Sequence, residues 1–303
     1  MSHFIGLDIG GTKIAGGVLE RDGAMLAELV VPTPGDYAAL LTACGDLVRE
    51  LEKKTGDKCS VGVGCPGRVD HVAGSVHGVP NLSCLDGKPL SSDLAAKLGR
   101  EIRLENDANC LALAEAIDGV GAGYDSVLGL ILGTGVGSGF VSQGRLMGGA
   151  NSLTGEIGHL PLPFREPADG PLVPCACKQS GCINKSISGG GLARLHEFMT
   201  GKQADAKAIA DLARANDAEA LRTLDRYYEV VAKAMVVVLH SFDPAIIVVS
   251  GGLSALPGLT EEVPKRWGKY AFVSQPKTQF IPARHGPTGG VRGAAWLWIR
   301  GDY

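Results

Sequence analysis

Twice in this chain an apolar strand runs straight into a glycine turn and out again into a second apolar stretch. The first copy is Phe4-Ile5-Gly6-Leu7-Asp8-Ile9 leading into Gly10-Gly11-Thr12-Lys13, and the second is Val127 to Leu132 leading into Gly133-Thr134-Gly135. Each copy reads as a strand, a glycine turn and a second strand. After the first copy, Ala24 to Pro32 supplies a third short run, and strands joined by such tight turns pair in antiparallel fashion. From Tyr37 to Lys54, Leu40, Leu41, Cys44, Leu47, Val48 and Leu51 recur at intervals of three and four, which predicts one apolar helical face. Val61 to Cys65 then reads as a buried strand ending at Pro66-Gly67, and a helix between two strands implies a parallel pair. Leu90 to Leu98, Ile102 to Leu104 and Asn109 to Ile117 repeat the order helix, strand, helix.

The pattern restarts at Ser126. Helical spacing runs from Ala206 to Ala215 and from Ala218 to Ser241, a strand from Ala245 to Ser250 leads into Gly251-Gly252, and a terminal helix covers Gly290 to Ile299. The expected organisation is an α/β chain of two lobes, residues 1–120 joined by the C-terminal helix 290–303, and residues 121–289. At 303 residues the chain is long enough for both lobes to have their own core, with an active site expected in the cleft between them.

Composition narrows the partners. A formal net charge of −3 offers no electrostatic footprint for nucleic acid or an anionic membrane. Apolar runs are interrupted by Gly, Pro, His or Asp before they reach spanning length, and the start lacks a basic segment followed by a long apolar one, so a cytoplasmic protein acting on small molecules is expected. Of eight cysteines, five are scattered, whereas Cys175, Cys177 and Cys182 fall within eight residues. Such crowding in a reducing compartment points to metal and not to disulfides.

Glycines at Gly10 and Gly11 let backbone N–H groups approach phosphate oxygens, Thr12 adds a hydroxyl donor, and Asp8 is placed to hold hydrated Mg2+. Alone, this turn could also be a plain hairpin. The second turn, Gly133-Thr134-Gly135, favours a grip on one polyphosphate from two sides, distinct from a single Walker loop, whose GK[ST] is missing. No helix pattern opens after Gly133, which argues against a Rossmann turn. Asp107, in Glu105-Asn106-Asp107-Ala108-Asn109, sits where a strand gives way to a helix. Its carboxylate could take the proton of an attacking hydroxyl, or could merely cap the helix. His159 with Cys175, Cys177 and Cys182 makes a closed set of three thiolates and one imidazole, the composition of a structural Zn2+ site. Glu156, three residues before His159, would then be held in a defined place; otherwise it is a surface acid.

DIGGTK, the Gly64 to Asp70 stretch GCPGRVD, ENDAN, LGTGVGSG, EIGH, CAC with GC, and VVSGGLS occur in this order along nearly the whole chain. Together they resemble the ROK family of bacterial sugar kinases. The resemblance implies a two-lobed actin-like ATPase (ribonuclease H-like) fold and a homodimer. It implies ATP phosphates at Gly10, Gly11, Thr12, Lys13, Gly133, Thr134 and Gly135, and Gly251 and Gly252 near the nucleoside. It further implies sugar contacts from Asn81, Asn106, Asp107, Glu156 and His159, with Asp107 as base, and structural zinc on His159, Cys175, Cys177 and Cys182. Two positions depart from the family pattern: Lys178 follows Cys177, and Asn184 stands where the family carries a sugar-binding Glu. Asn184 keeps an acceptor oxygen, removes a charge and adds NH2 donors, so sugar hydroxyls near it would be bound differently.

The activity implied is transfer of the γ-phosphate of ATP to the 6-hydroxyl of a hexose or N-acetylhexosamine. N-acetyl-D-glucosamine is favoured over the fructokinase, mannokinase and glucokinase alternatives. A second class, a sugar-binding regulator without catalysis, belongs to the same family; its members carry an N-terminal helix-turn-helix, whereas the phosphate strand here begins at residue 4.

Overall fold

The computed structural model describes residues 3–300. They divide into two compact units. The first runs to Asp125 and takes in Gly139–Thr154 and the stretch from Arg284 onward; the second comprises Ser126–Ser138 and Gly155–Ala283.

In the first unit, β1 (His3–Ile9) pairs antiparallel with β2 (Lys13–Glu20), which pairs antiparallel with β3 (Met25–Pro32). Helix α1 (Tyr37–Thr55) begins at Asp36, whose carboxylate accepts from the Ala39 N–H (2.9 Å), and stops at Gly56 in the left-handed region (φ +74°). Its buried face of Leu40, Cys44, Leu47, Val48 and Leu51 is the predicted one except for Leu41, which is half-buried, and each fully buried leucine contributes about 1.5–3 kcal/mol. The chain crosses over to β4 (Ser60–Cys65), parallel to β1, and forms a small antiparallel hairpin of β5 (Arg68–Asp70) and β6 (Ser75–His77). Helix α2 (Leu90–Leu98), strand β7 (Ile102–Asn106), parallel to β4, and helix α3 (Asp107–Ile117) follow. The sheet order is β3-β2-β1-β4-β7.

The second sheet repeats that order. β8 (Ser126–Leu132), β9 (Val136–Ser142) and β10 (Arg145–Leu146) come first, and the chain passes out of the second unit part-way along β9. Helices α4 (Ile183–Ile187), α5 (Gly189–Thr200), α6 (Ala206–Arg214) and α7 (Ala218–Ser241) lead to β11 (Ile246–Ser250). Helix α8 (Leu259–Trp267) and β12 (Gln279–Pro282) follow, giving the order β10-β9-β8-β11-β12 with β8, β11 and β12 parallel. The last helix, α9 (Gly289–Arg300), belongs to the first unit.

Glycines seat α9. A methyl group on Gly6 of β1 would run into the Val291 carbonyl, one on Gly62 of β4 into the Ala294 carbonyl, and one on Gly293 into the Cys110 carbonyl of α3. Helix backbone therefore lies directly on strand backbone, closer than any side chain would permit. In the second unit, α7 carries a fully buried Lys233 that donates to Glu166 Oε1 (2.6 Å) and Asp169 Oδ2 (3.0 Å), while Arg226 donates to Asp169 Oδ1 (2.6 Å). This ionic cluster ties the stretch ahead of Cys175 to α7. Hydrogen bonds from Lys233 and Arg226 and their positive charges hold the Glu166 carboxyl well below the usual carboxylate range. Among the described residues no helix is long and apolar enough to cross a membrane.

Candidate active site

In the first unit the site begins at the end of β1. Three carbonyls at the turn are occupied within the fold: Gly10 C=O accepts from Thr33 Oγ1 (2.7 Å), Thr12 C=O from the Thr33 N–H (3.1 Å), and Lys13 C=O from the Gly10 N–H (2.9 Å). Gly11, Thr12 and Lys13 remain exposed. Gly11 lies on the backbone of Asn81, whose carbonyl is 3.2 Å from where a Cβ would stand. Asp8 is half-buried and faces the first turn of α9, where a Cβ on Gly290 would strike its carboxylate. Burial pushes its carboxyl up to about 6, against the opposing pull of the Lys13 charge. A half-buried carboxylate at this strand end could hold a divalent cation.

Asn106 ends β7 and caps α3: its Oδ1 accepts from the N–H groups of Ala108 (2.9 Å) and Asn109 (3.3 Å), and its Nδ2 donates to the Gly67 carbonyl (2.8 Å). The capping role open to Asp107 thus falls to its neighbour. Asp107 occupies the first helical position, where its Oδ1 accepts from the Ala108 N–H (2.8 Å) and the partial positive charge of the helix end favours a carboxylate. Two residues earlier, Glu105 is buried and accepts from the Asn106 N–H (2.7 Å) and Asn109 Nδ2 (3.0 Å), with His71 Nε2 at 3.4 Å. Burial acts to raise the Glu105 carboxyl, but the hydrogen bonds from His71 and Asn109 outweigh it and the net shift is downward, while His71 is raised in turn. The thiols of Cys65 and Cys110 are pushed up by burial and then by the charges of Asp107, Glu105 and Asp8, so these three carboxylates gather round the same end of the sheet.

In the second unit the turn after β8 is closed by the Gly133 N–H donating to Gly135 C=O (2.9 Å) and braced by the Gly189 N–H donating to Gly133 C=O (2.8 Å). Thr134 and Gly135 are exposed. Beside them is a cavity of about 730 Å³ whose lining includes Gly133, Thr134, Gly190, Lys207, Arg214 and Gly252. One wall is the N-terminal turn of α5, capped by Ser188, a helix end suited to anions. Gly251 (φ +86°) packs on the backbone of Leu132, which brings the ends of β11 and β8 together. This volume fits a nucleoside.

His159, Cys175, Cys177 and Cys182 present ligand atoms that all lie within 4.8 Å of one another. His159 Nδ1 is 3.6 Å from Cys175 Sγ, and Cys177 Sγ is 3.5 Å from Cys182 Sγ. Tetrahedral zinc with Zn–S bonds of about 2.3 Å places ligand atoms about 3.5–3.8 Å apart, so the four residues fit Zn2+. The loop is closed by the Lys178 N–H donating to Cys175 C=O (2.9 Å) and the Cys175 N–H donating to Gln179 C=O (2.8 Å). Lys178 there adopts φ +69°, a conformation glycine takes without strain. Glu156 Oε2 lies 3.9 Å from His159 Nε2, the ring nitrogen other than the one nearest Cys175, too far for a direct hydrogen bond.

A model of the ROK family matches residues 4–301. The chain belongs to the ROK family. This ROK chain is 40% identical over 301 residues to an N-acetyl-D-glucosamine kinase of Escherichia coli O6:H1, an alignment covering 98% of this chain and 99% of the relative. It superimposes on the ROK hexokinase of Thermus thermophilus with a TM-score of 0.85 at 31% identity, covering 97% and 96% of the two chains. With a ROK family glucokinase from Streptomyces griseus, solved in complex with glucose and AMPPNP, the TM-score is 0.80 at 28% identity, covering 97% and 98%. Its fold is the actin-like ATPase fold.

Within the ROK chain, Asp8, Gly10, Gly11, Thr12, Lys13, Asn81, Asn106 and Asp107 fall in the first unit, and Gly133, Thr134, Gly135, Glu156, His159, Asn184, the three zinc-type cysteines, Gly251 and Gly252 in the second. Sequence reasoning passed over the Glu105–His71 pair and the Lys207 and Arg214 side chains at the cavity. Glu105 carried a signal, an acid inside an otherwise apolar strand end, whereas His71 lies 34 positions earlier and had none.

Proposed function

We propose that the chain is an ATP-dependent sugar kinase that phosphorylates the 6-hydroxyl of N-acetyl-D-glucosamine. The observation that carries the reading is the placement of Asp107: with Asn106 as the residue that caps α3, its carboxylate sits at the positive end of that helix, two residues beyond the buried Glu105. As the sugar 6-oxygen bonds to the γ-phosphorus and the bond to the β-phosphate oxygen breaks, Asp107 takes the hydroxyl proton and ADP departs. Gly10, Gly11, Thr12, Lys13, Gly133, Thr134 and Gly135 are assigned to the phosphates, and the cavity lined by Gly190, Lys207 and Gly252 to the nucleoside. Asp8 would hold Mg2+, which neutralises phosphate charge. Zn2+ on His159, Cys175, Cys177 and Cys182 is structural, since four protein ligands leave no open position. Asn81, Asn106, Glu156 and the outer nitrogen of His159 are assigned to the sugar. A cytoplasmic homodimer completes the proposal. The choice of N-acetyl-D-glucosamine rests on the full-length relative of that name.

The test is a panel of N-acetylglucosamine, N-acetylmannosamine, glucose, mannose and fructose, with ADP release followed by a coupled assay and products identified by phosphorus NMR. The expected result is highest kcat/KM for N-acetylglucosamine and a 6-phosphate product. Turnover of no sugar on the panel would refute the kinase reading, and a preference for glucose or fructose would refute the sugar.

A further inference from the structure

Asn184 stands two residues past the zinc ligand Cys182, on α4. Its side-chain oxygen accepts a hydrogen bond from the Val136 N–H (3.0 Å), the first residue of β9 and the one that follows the Gly133-Thr134-Gly135 turn. The same oxygen lies 3.5 Å from the place a Cβ on Gly135 would occupy. Asn184 is therefore engaged with the turn by its acceptor atom.

The surrounding chain makes this contact a brace. Cys182 caps α4, and the two ligand-bearing segments are cross-tied, with the Leu162 N–H donating to Gly181 C=O (3.0 Å) and the Ile183 N–H to Leu160 C=O (2.9 Å). Gly158, beside His159, comes against the same strand: a Cβ there would stand 2.8 Å from the Val136 carbonyl and 3.5 Å from Asn184 Cβ. Ser138 Oγ donates to the Gly155 carbonyl. At the far end of α4, the Gly189 N–H holds Gly133 C=O (2.8 Å). Both ends of the turn are thus held by the segment that starts at a zinc ligand.

From this we infer that Asn184 is a positioning residue for the nucleotide phosphates, coupling the zinc loop to the Gly133–Gly135 turn. The inference rests on the reading of that turn as a phosphate donor. It also gives the departure at this position a consequence. A carboxylate in place of Asn184 could accept the same Val136 hydrogen bond, but would set a negative charge beside the turn that faces the phosphates.

Three proteins separate this role from a sugar contact: wild type, Asn184→Ala and Asn184→Asp, each checked for zinc content and melting temperature. Affinities for adenosine, ADP, AMPPNP and N-acetylglucosamine are measured by calorimetry. Asn184→Ala leaves the Val136 N–H without its partner, and AMPPNP affinity should fall about ten-fold. Asn184→Asp keeps the bond and the shape, so its zinc content and melting should match wild type, and its loss should grow from adenosine to ADP to AMPPNP with phosphate charge. Sugar affinity should stay unchanged in both. A merely structural defect would not scale with phosphate charge. Sugar affinity falling while AMPPNP affinity holds overturns the inference, as do AMPPNP affinities equal to wild type in both variants. Wild-type protein that binds no AMPPNP would instead overturn the phosphate reading on which the inference stands.

Discussion

Replacing Asn106 with alanine separates the two jobs its side chain performs. Its Oδ1 serves the N–H groups of Ala108 and Asn109, and its Nδ2 serves the Gly67 carbonyl. Loss of an asparagine N-cap costs about 1 kcal/mol, and leaving the half-buried Gly67 carbonyl without a donor costs about another 1 kcal/mol. A total of about 2 kcal/mol should lower the melting temperature by about 4–8 °C in a unit of this size. Because Asp107 is the next residue, loosening the first turn of α3 should also lower kcat more than tenfold while KM for ATP stays within about twofold. Asn106→Asp retains the cap acceptor but not the Gly67 tie, and should recover about half of the lost stability. Urea and thermal melts followed by circular dichroism give the first quantity, and a coupled ADP assay the second. An Asn106→Ala protein that melts with wild type would refute the capping argument, and with it the reason given for Asp107 being free of that role.

Asp8 makes stability fall as pH rises. Its folded pKa of about 6 lies above the ordinary 3.8, so the folded chain keeps that proton longer than the unfolded chain and stability declines between about pH 4 and 6; Asp8→Asn should flatten that part of a urea-midpoint profile. Lys233→Met removes one of the two cations paired with the buried Asp169, leaving Arg226, and should cost about 1–3 kcal/mol, read as a lower urea midpoint. Cys177→Ser should reduce bound zinc, assayed by mass spectrometry of the metal, from one equivalent to well under half, with an earlier thermal transition.

Elements with a long periodic face were legible in the sequence, and those without one were not. α1 was readable because its apolar residues repeat over about three turns, from Leu40 to Leu51. β5 and β6 are three residues each, too short for alternation to register. α5 opens on three glycines that read as loop, and α8 holds Pro264 among charged residues. β12 is four residues ending in proline. The glycines of β1 and β4 look like weak strand positions until α9 is laid against them; only the tertiary contact explains Gly6 and Gly62. The site divides in the same way. His159 with Cys175, Cys177 and Cys182 was legible because the ligands are near in sequence and chemically restricted. The bond from Val136 to Asn184 spans 48 positions, and the Glu105–His71 pair 34, and neither leaves a local pattern.

The central claim is that Asp107 is the base, and Asp107→Asn tests it with the least disturbance to shape. ADP formation with N-acetylglucosamine should fall about 10²- to 10⁴-fold, while AMPPNP and the sugar bind with wild-type affinity. An Asp107→Asn protein that turns over as fast as wild type would contradict the account.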